Sequence, residues 1–369
     1  MSTVLQVIGD GSAGGGTTAV LGLSLGLAAR GRAVEIATQA GSYLAGEARK
    51  AGLPTLELDF RRRRDSWRAA RALASRLEAI GPAVLHAHGA RAGLPAALVP
   101  RARRAAFVYT VHGFHFVRRP TGVRQLARAV ERFCIRRSSA TVFVSEGDRR
   151  IALGDGLADR NDAHEVIYNG GAPPRHQHAS GAPAFDIAFL GRLHFQKNPL
   201  ILPEILLALR PLRPTICIIG GGEVEAALRA RVTEAGLDGQ FAFLGTQAHT
   251  DALAHLARAR LMLLPSRWEG LPISVIEAMH LGVPVVASNV AGTDELVRDG
   301  ETGYLIGSDD VAAYAAAIGR ILADADLQRR MAAAAMARAA ADFSIERNIA
   351  RHIALYDRLA GSRRDQRAA

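Results

Sequence analysis

The feature that most constrains this chain is a repeat of one local pattern. A short run of β-branched and other apolar residues is followed by a glycine-marked turn and then by a stretch with helical period. The first half shows it at Val4–Ile8, Val34–Thr38, Thr55–Leu58, Val84–His88, Phe107–His112 and Thr141–Ser145. Strands that alternate with helices of this length cannot pair as hairpins, so the pattern predicts a doubly wound parallel sheet in an α/β domain. Gly31 closes the first helix, and Gly81-Pro82 closes one expected to bury Trp67, Ala70, Leu73, Leu77 and Ile80.

The alternation lapses in residues 171–184, where Gly, Pro, Ala and polar residues replace any period, and it restarts at Ile187–Leu190. Ile216–Ile219, Phe241–Leu244, Leu261–Leu264 and Val283–Ala287 continue it. The 369 residues therefore divide into a first domain over 1–170, a linker over 171–184 and a second domain over 185–343, with 344–369 left as a terminal helical segment. Open α/β sheets bind ligands outside the carboxyl ends of their strands, so two such sheets predict a site in the cleft between domains.

Charge is distributed unevenly. Residues 1–175 hold 26 Lys and Arg against 14 Asp and Glu, whereas 176–369 hold 20 against 21. The basic half predicts an anionic partner: nucleic acid, anionic lipid or a phosphorylated acceptor. Aromatic residues make up 5% of the chain and none interleave with the arginines in a recognisable motif, so specific nucleic-acid binding is disfavoured. No 18-residue uncharged apolar run occurs, and the opening MSTVLQVIGD lacks the basic region and cleavage site of a secretory signal, so a cytoplasmic location is expected. Cys134 and Cys217 lie in apolar contexts without metal-ligand spacing and are expected to be buried free thiols.

The first strand runs into GDGSAGGG, in which Gly9, Gly11 and Gly14 fit G-x-G-x-x-G. A dinucleotide site would also want an acid at the end of the second strand, where this chain has Ala37, Thr38 and Gln39. Gly15 and Gly16 remain as bare backbone that an anion, such as a donor phosphate, can approach at a helix start, although a tight turn alone would also want glycine here. Residues 266–279, SRWEGLPISVIEAM, place Glu269 and Glu277 eight positions apart around a helix expected to begin at Pro272. Such a pair can flank a ligand lying across the helix start, one acid on sugar hydroxyls and the other on ribose hydroxyls. The competing reading is that both acids are merely solvated, but Glu277 follows Ile273, Val275 and Ile276, where an acid without a partner would be costly.

Residues 264–306 resemble the donor-site signature of glycosyltransferase family 4, and the likeness extends along the whole chain. The resemblance implies a GT-B fold, transfer that retains anomeric configuration, no metal requirement, and Glu269, Gly270, Leu271, Pro272 and Glu277 at the donor. It also implies that Arg192 and Lys197 bind the diphosphate. Fixed cations there suit a leaving group that gains negative charge, and Lys197 is one of only two lysines beside 44 arginines. His112 resembles the family's cleft histidine opposite the donor sugar, able to hydrogen-bond a hydroxyl or assist proton movement; His86, His88 and His115 occupy similar positions in the sequence. Gly220, Gly222 and Thr246 correspond to nucleotide-binding turns, and the segment near Ile345–Leu359 to a helix crossing back to the first domain. Glu301, Thr302 and Gly303 close the signature but fit plain turn chemistry as well.

Residues 121–137 set Arg124, Arg128, Arg132 and Arg136 at four-residue intervals opposite Val123, Leu126, Val130 and Phe133. An amphipathic helix of this kind either packs on the sheet with a solvated basic face or docks on anionic membrane. Arg61–Arg64 and Arg101, Arg103 and Arg104 favour the membrane. Residues 109–116, YTVHGFHF, also resemble family members that build glycans on polyprenyl-diphosphate carriers. The expectation is thus a transferase taking a UDP-linked sugar to a glycan or lipid-linked acceptor in cell-envelope polysaccharide synthesis, peripheral on the inner membrane face. The alternatives are a GT-B nucleotide-sugar epimerase and a nucleic-acid-binding protein.

Overall fold

The computed structural model describes residues 3–61, 65–81, 83–104, 106–114, 121–172 and 183–368. Pro82, Arg62–Arg64, His115, Phe116 and most of the 171–184 linker lie outside the described residues. The chain forms two compact units, one of residues 1–170 with 345–369 and one of residues 171–344.

The first unit is built on a seven-stranded sheet: β1 (Thr3–Ile8), β2 (Val34–Gln39), β3 (Thr55–Leu58), β4 (Ala83–His88), β5 (Ala106–Val111), β6 (Ala140–Phe143) and β7 (His164–Val166). Its order is β3-β2-β1-β4-β5-β6-β7, and each pairing is parallel. Strands of this kind are covered on both faces, which is why β1, β4 and β5 are buried almost throughout and read as near-continuous apolar runs. Leu5, Val7, Leu85 and Phe107 pack towards one layer of helices, Val4, Val84 and Val108 towards the other. The helix Ile345–Ala368 belongs to that second layer. Ile349, Leu355 and Tyr356 join Leu23, Leu27 and Val108 in one buried cluster, and Arg32 grips Asp357 at 2.7 Å.

The second unit holds β8 (Phe185–Leu190), β9 (Ile216–Ile219), β10 (Phe241–Gly245), β11 (Ala259–Leu264), β12 (Val285–Ser288) and β13 (Gly303–Ile306). They form a parallel six-stranded sheet in the order β10-β9-β8-β11-β12-β13. Phe189, Leu202, Ile205, Ile218, Leu263 and Ile318 sit in its core, all fully buried. Both cysteines are buried, Cys134 in the first unit and Cys217 in the second, and burial pushes the Cys217 thiol up to about 12.

Two helices face differently from the expectation. In Ser66–Ile80 the buried stripe runs through Ala69, Ala70, Leu73, Ala74 and Leu77. Trp67 falls on the flank of that stripe and is 56% exposed, its ring covered instead by the Arg68 guanidinium at 5.3 Å. In Thr121–Arg137 the buried residues are Glu131, Cys134 and Ile135. Glu131 is drawn inward because the Tyr109 hydroxyl donates to its carboxylate at 2.6 Å, and the rotation this requires leaves Val123, Leu126 and Phe133 exposed. A third difference is small: Pro272 stands as the cap before the helix Ile273–His280 rather than as its first residue.

Candidate functional site

The loops that follow β8, β9, β10 and β11 leave adjacent strands at their carboxyl ends, so the sequence signature is gathered along one edge of the second sheet. Gly191 and Arg192 follow β8, and a single 3-10 turn, Phe195–Lys197, brings Lys197 back over Gly191. Asn198 ends that turn with φ of 52°, a left-handed conformation that asparagine tolerates. The turn is fastened to the loop after β11 by Arg267 N–H to the Gln196 carbonyl at 2.8 Å and by the Gln196 side chain to the Trp268 carbonyl at 3.0 Å.

That fastening brings Lys197 Nζ within 2.6 Å of Glu269 Oε1. Both side chains are largely buried, 16% and 5% exposed. Removing either partner would strand a charge in a poorly solvated place. Arg192, by contrast, is exposed in the loop after β8. Gly270, Leu271 and Pro272 are buried and carry the chain into the helix; Gly292, with φ of 84°, lies so close that a side chain there would strike the Gly270 carbonyl.

Glu277, in the second turn of that helix, is buried and has a partner the sequence reading did not single out. His249, on the helix after β10, meets Glu277 Oε1 through Nε2 at 2.6 Å. The hydrogen bond to the carboxylate raises the His249 pKa above the ordinary histidine value. The only signal in the sequence was a buried acid in need of a counter-charge; nothing local pointed to a histidine 28 residues earlier.

The glycines divide by what they make room for. A Cβ on Gly220 would come within 2.1 Å of the Gly191 carbonyl oxygen, and one on Gly222 within 2.3 Å of the Leu193 carbonyl oxygen. These glycines are needed for the loops to nest. Gly221 lies against the Thr246 hydroxyl, which is exposed at the same edge. In the first unit a Cβ on Gly9 would strike Arg91 and one on Gly11 would strike Ser42, whereas at Gly14 it would meet nothing within 4 Å. Gly15 and Gly16, exposed at the start of the helix Gly15–Ala28, leave their backbone accessible. Thr302 and Gly303 serve the turn into β13: the Thr302 hydroxyl accepts from Arg298 N–H at 2.8 Å, and a Cβ on Gly303 would strike Val285.

His112 follows β5 in the first unit, partly exposed, with its Nε2 3.0 Å from His88 Nδ1. In the arginine stripe, Arg128 and Arg136 pair with Asp155 and Asp159 of the same unit at 3.8 and 3.1 Å. Arg124 and Arg132 are exposed. Among the described residues no group of three or more His, Cys, Asp or Glu is placed to hold a metal ion, and no helix is long and apolar enough to cross a membrane.

Residues 14–170 match the family described as Glycosyl transferase 4-like domain, and residues 175–338 match Glycosyl transferases group 1. With the two parallel sheets, these matches indicate a GT-B glycosyltransferase of the family-4-like type. Glycogen synthase of Mycobacterium tuberculosis is 32% identical over 279 residues, covering 71% of this chain and 65% of that protein. The lipopolysaccharide core biosynthesis mannosyltransferase LpsB of Rhizobium meliloti is 33% identical over 182 residues, 47% of this chain and 51% of its own length. The chain thus spans less than two thirds of these curated relatives. Among solved structures, HepE of Anabaena in complex with UDP and glucose superposes with a TM-score of 0.84 at 20% identity, covering 97% of this chain and 100% of that one, a likeness of fold.

Proposed function

We propose that the protein is a retaining, metal-independent glycosyltransferase that moves a sugar from a UDP-sugar to a glycan or polyprenyl-diphosphate-linked acceptor in cell-envelope polysaccharide synthesis. The observation that carries this reading is the buried Lys197–Glu269 pair at the carboxyl edge of the second sheet. A lysine held by a carboxylate is fixed in place before substrate arrives, so its charge costs no reorganisation when the leaving group becomes an anion. Arg192 and Lys197 would take the diphosphate, Glu269 the sugar hydroxyls and Glu277 the ribose. Gly220, Gly222 and Thr246 would frame the base, and Gly15 and Gly16 would offer amides to a donor phosphate. UDP accompanies the structurally similar HepE, and the named relatives act in glycan synthesis, which supports the choice of donor and acceptor class.

In the proposed step the bond from the anomeric carbon to the β-phosphate oxygen breaks with its electron pair going to phosphate. The acceptor hydroxyl bonds to the same face of that carbon and passes its proton to the departing phosphate. His112 would hydrogen-bond a hydroxyl of the sugar. Arg124, Arg132 and the exposed Leu126 and Phe133 make a basic and apolar surface suited to anionic lipid, and the same reading puts the enzyme on the inner face of the cytoplasmic membrane.

The test is incubation with UDP-, GDP- and ADP-sugars and a polyprenyl-phosphate-linked acceptor, with and without EDTA, reading free nucleotide diphosphate and the anomeric configuration of the product. Release from a UDP-sugar that survives EDTA and yields the retained anomer is expected. Release that EDTA abolishes, or an inverted product, contradicts the proposal. Sedimentation with anionic but not neutral vesicles, weakened in Arg132→Glu, checks the membrane surface.

A further inference from the structure

Six polar side chains from distant parts of the first unit form one continuous chain, buried except at its His112 end. Gln6 lies on β1, His86 and His88 on β4, Thr110 on β5, His112 just beyond it, and Tyr356 on the terminal helix. Gln6, His86 and Tyr356 are fully buried, and Thr110 and His88 nearly so. His88 Nδ1 stands 3.0 Å from His112 Nε2, and His88 Nε2 stands 2.7 Å from Gln6 Oε1. Gln6 Nε2 reaches the Tyr356 hydroxyl at 3.4 Å. That hydroxyl lies 2.6 Å from His86 Nδ1, and His86 Nε2 lies 2.6 Å from Thr110 Oγ1.

Burial holds the pKa of His86 and of His88 well below the ordinary histidine value, so both rings are neutral. A neutral imidazole has one N–H and one lone pair, so the bond on one side of His88 dictates the bond on the other. Gln6 donates its amide N–H to Tyr356, which leaves its carbonyl oxygen facing His88 Nε2. An oxygen can only accept there, so His88 carries its proton on Nε2 and a lone pair on Nδ1. The bond to His112 then requires His112 Nε2 to be the donor. On the other branch Tyr356 either gives its proton to His86 Nδ1, with His86 Nε2–H donating to Thr110, or accepts from His86 Nδ1–H, with Thr110 donating to His86 Nε2. Both arrangements satisfy all five bonds and leave the direction between His88 and His112 the same.

We infer that His88 is a positioning residue that, by accepting at its Nδ1, holds a proton on His112 Nε2, so that whenever the His112 ring is uncharged Nδ1 is its lone-pair nitrogen, the form that accepts a hydrogen bond from a sugar hydroxyl. The consequence for transfer rests on the function proposed above; the tautomer itself does not. The deciding experiment is nitrogen NMR of the full-length protein labelled with 15N-histidine, with the His112 signals assigned by their loss in His112→Ala. Recorded well above the ordinary histidine pKa, where the imidazole is uncharged, the expected wild-type pattern is Nε2–H with unprotonated Nδ1. His88→Asn, whose side-chain oxygen takes the place of Nδ1, should keep that pattern, and His88→Leu should shift it towards a mixture. An Nδ1–H form in the wild type, which is the state a reversed Gln6 amide would impose, overturns the inference, as does an unchanged pattern in His88→Leu. If the leucine variant does not fold, the wild-type and asparagine patterns decide.

In turnover, His88→Leu should lower kcat roughly tenfold or more with little change in the donor KM, and His88→Asn should restore most of it. Equal loss in both variants contradicts the positioning role. Wild-type protein that shows the Nε2–H form yet releases no nucleotide from any sugar donor supports this inference and contradicts the transferase reading.

Discussion

The buried histidines of the first unit and His249 of the second are held in opposite ways. In the first, His86, His88 and His352 are sunk among apolar and neutral polar groups, and burial holds all three uncharged, His352 down to about 4. In the second, His249 is half exposed and its carboxylate partner Glu277 draws it towards the charged form. Lys197 and Glu269 repeat that pairing of a basic side chain with a carboxylate. One unit thus keeps hydrogen-bond direction without charge, which suits a neutral hydroxyl. The other sets each of these cationic side chains against a carboxylate. The contrast also qualifies the net positive balance of the first half: its positive charge lies on exposed arginines such as Arg124 and Arg132, while its sheet carries the neutral histidine chain.

The largest test of this contrast is removal of a charge from the second unit. Lys197→Ala should lower nucleotide release about 100- to 1,000-fold, the scale seen when one preorganised donor to a developing anion is lost. A loss below about threefold would mean the pair is structural. Acid should break the other side of the comparison. The ordinary histidine value is 6.5 and the folded values of His86, His88 and His352 lie below it. As pH falls from 6.5 towards 4, the unfolded chain therefore binds protons that the folded unit refuses. Stability of the first unit should fall by about 1.4 kcal/mol per pH unit for each such histidine, and be constant above the unfolded value. Thermal denaturation across that range, followed by fluorescence of Trp67, checks it.

Next in size are the glycines. Gly220→Ala, with φ of 133° and a carbonyl 2.1 Å from the new methyl group, should cost about 1–3 kcal/mol of stability. Gly16→Ala, where the new carbon meets only Ile8 at 3.9 Å, should leave the fold intact, so any fall in its activity reports on substrate approach. The smallest effect is at His249. Its folded pKa is raised, so its contribution is complete below the unfolded value of 6.5 and fades as pH rises through the folded one, the reverse of the first unit. Half-exposed and screened, it should amount to about 1 kcal/mol or less, seen as a flatter alkaline melting profile in His249→Ala.

What was legible in the sequence was whatever depends on near neighbours. The parallel strands declared themselves because strands covered on both faces are mostly apolar, and Glu269 and Glu277 stood out because a helix start separates them by a fixed few residues. Features set by distant partners were not legible. Glu131 turns the arginine-rich helix because Tyr109, on β5, reaches it, which no period within the helix reveals. His249 was one of twelve histidines until the fold set it against Glu277. His88 and His112 looked interchangeable in the sequence, and only Gln6 and Tyr356 give the pair a direction. β13 was hidden because Thr302 and Gly303 read as a turn, which they also are.

The claim on which the rest depends is that fixed cations of the second unit hold the donor diphosphate. Calorimetric titration of UDP in the presence of EDTA tests it most directly, using the wild type, Arg192→Ala and Lys197→Ala. Binding by the wild type and at least about tenfold weaker binding in each variant are expected. Equal affinity across all three proteins, or wild-type binding that appears only when a divalent metal is restored, would contradict the claim.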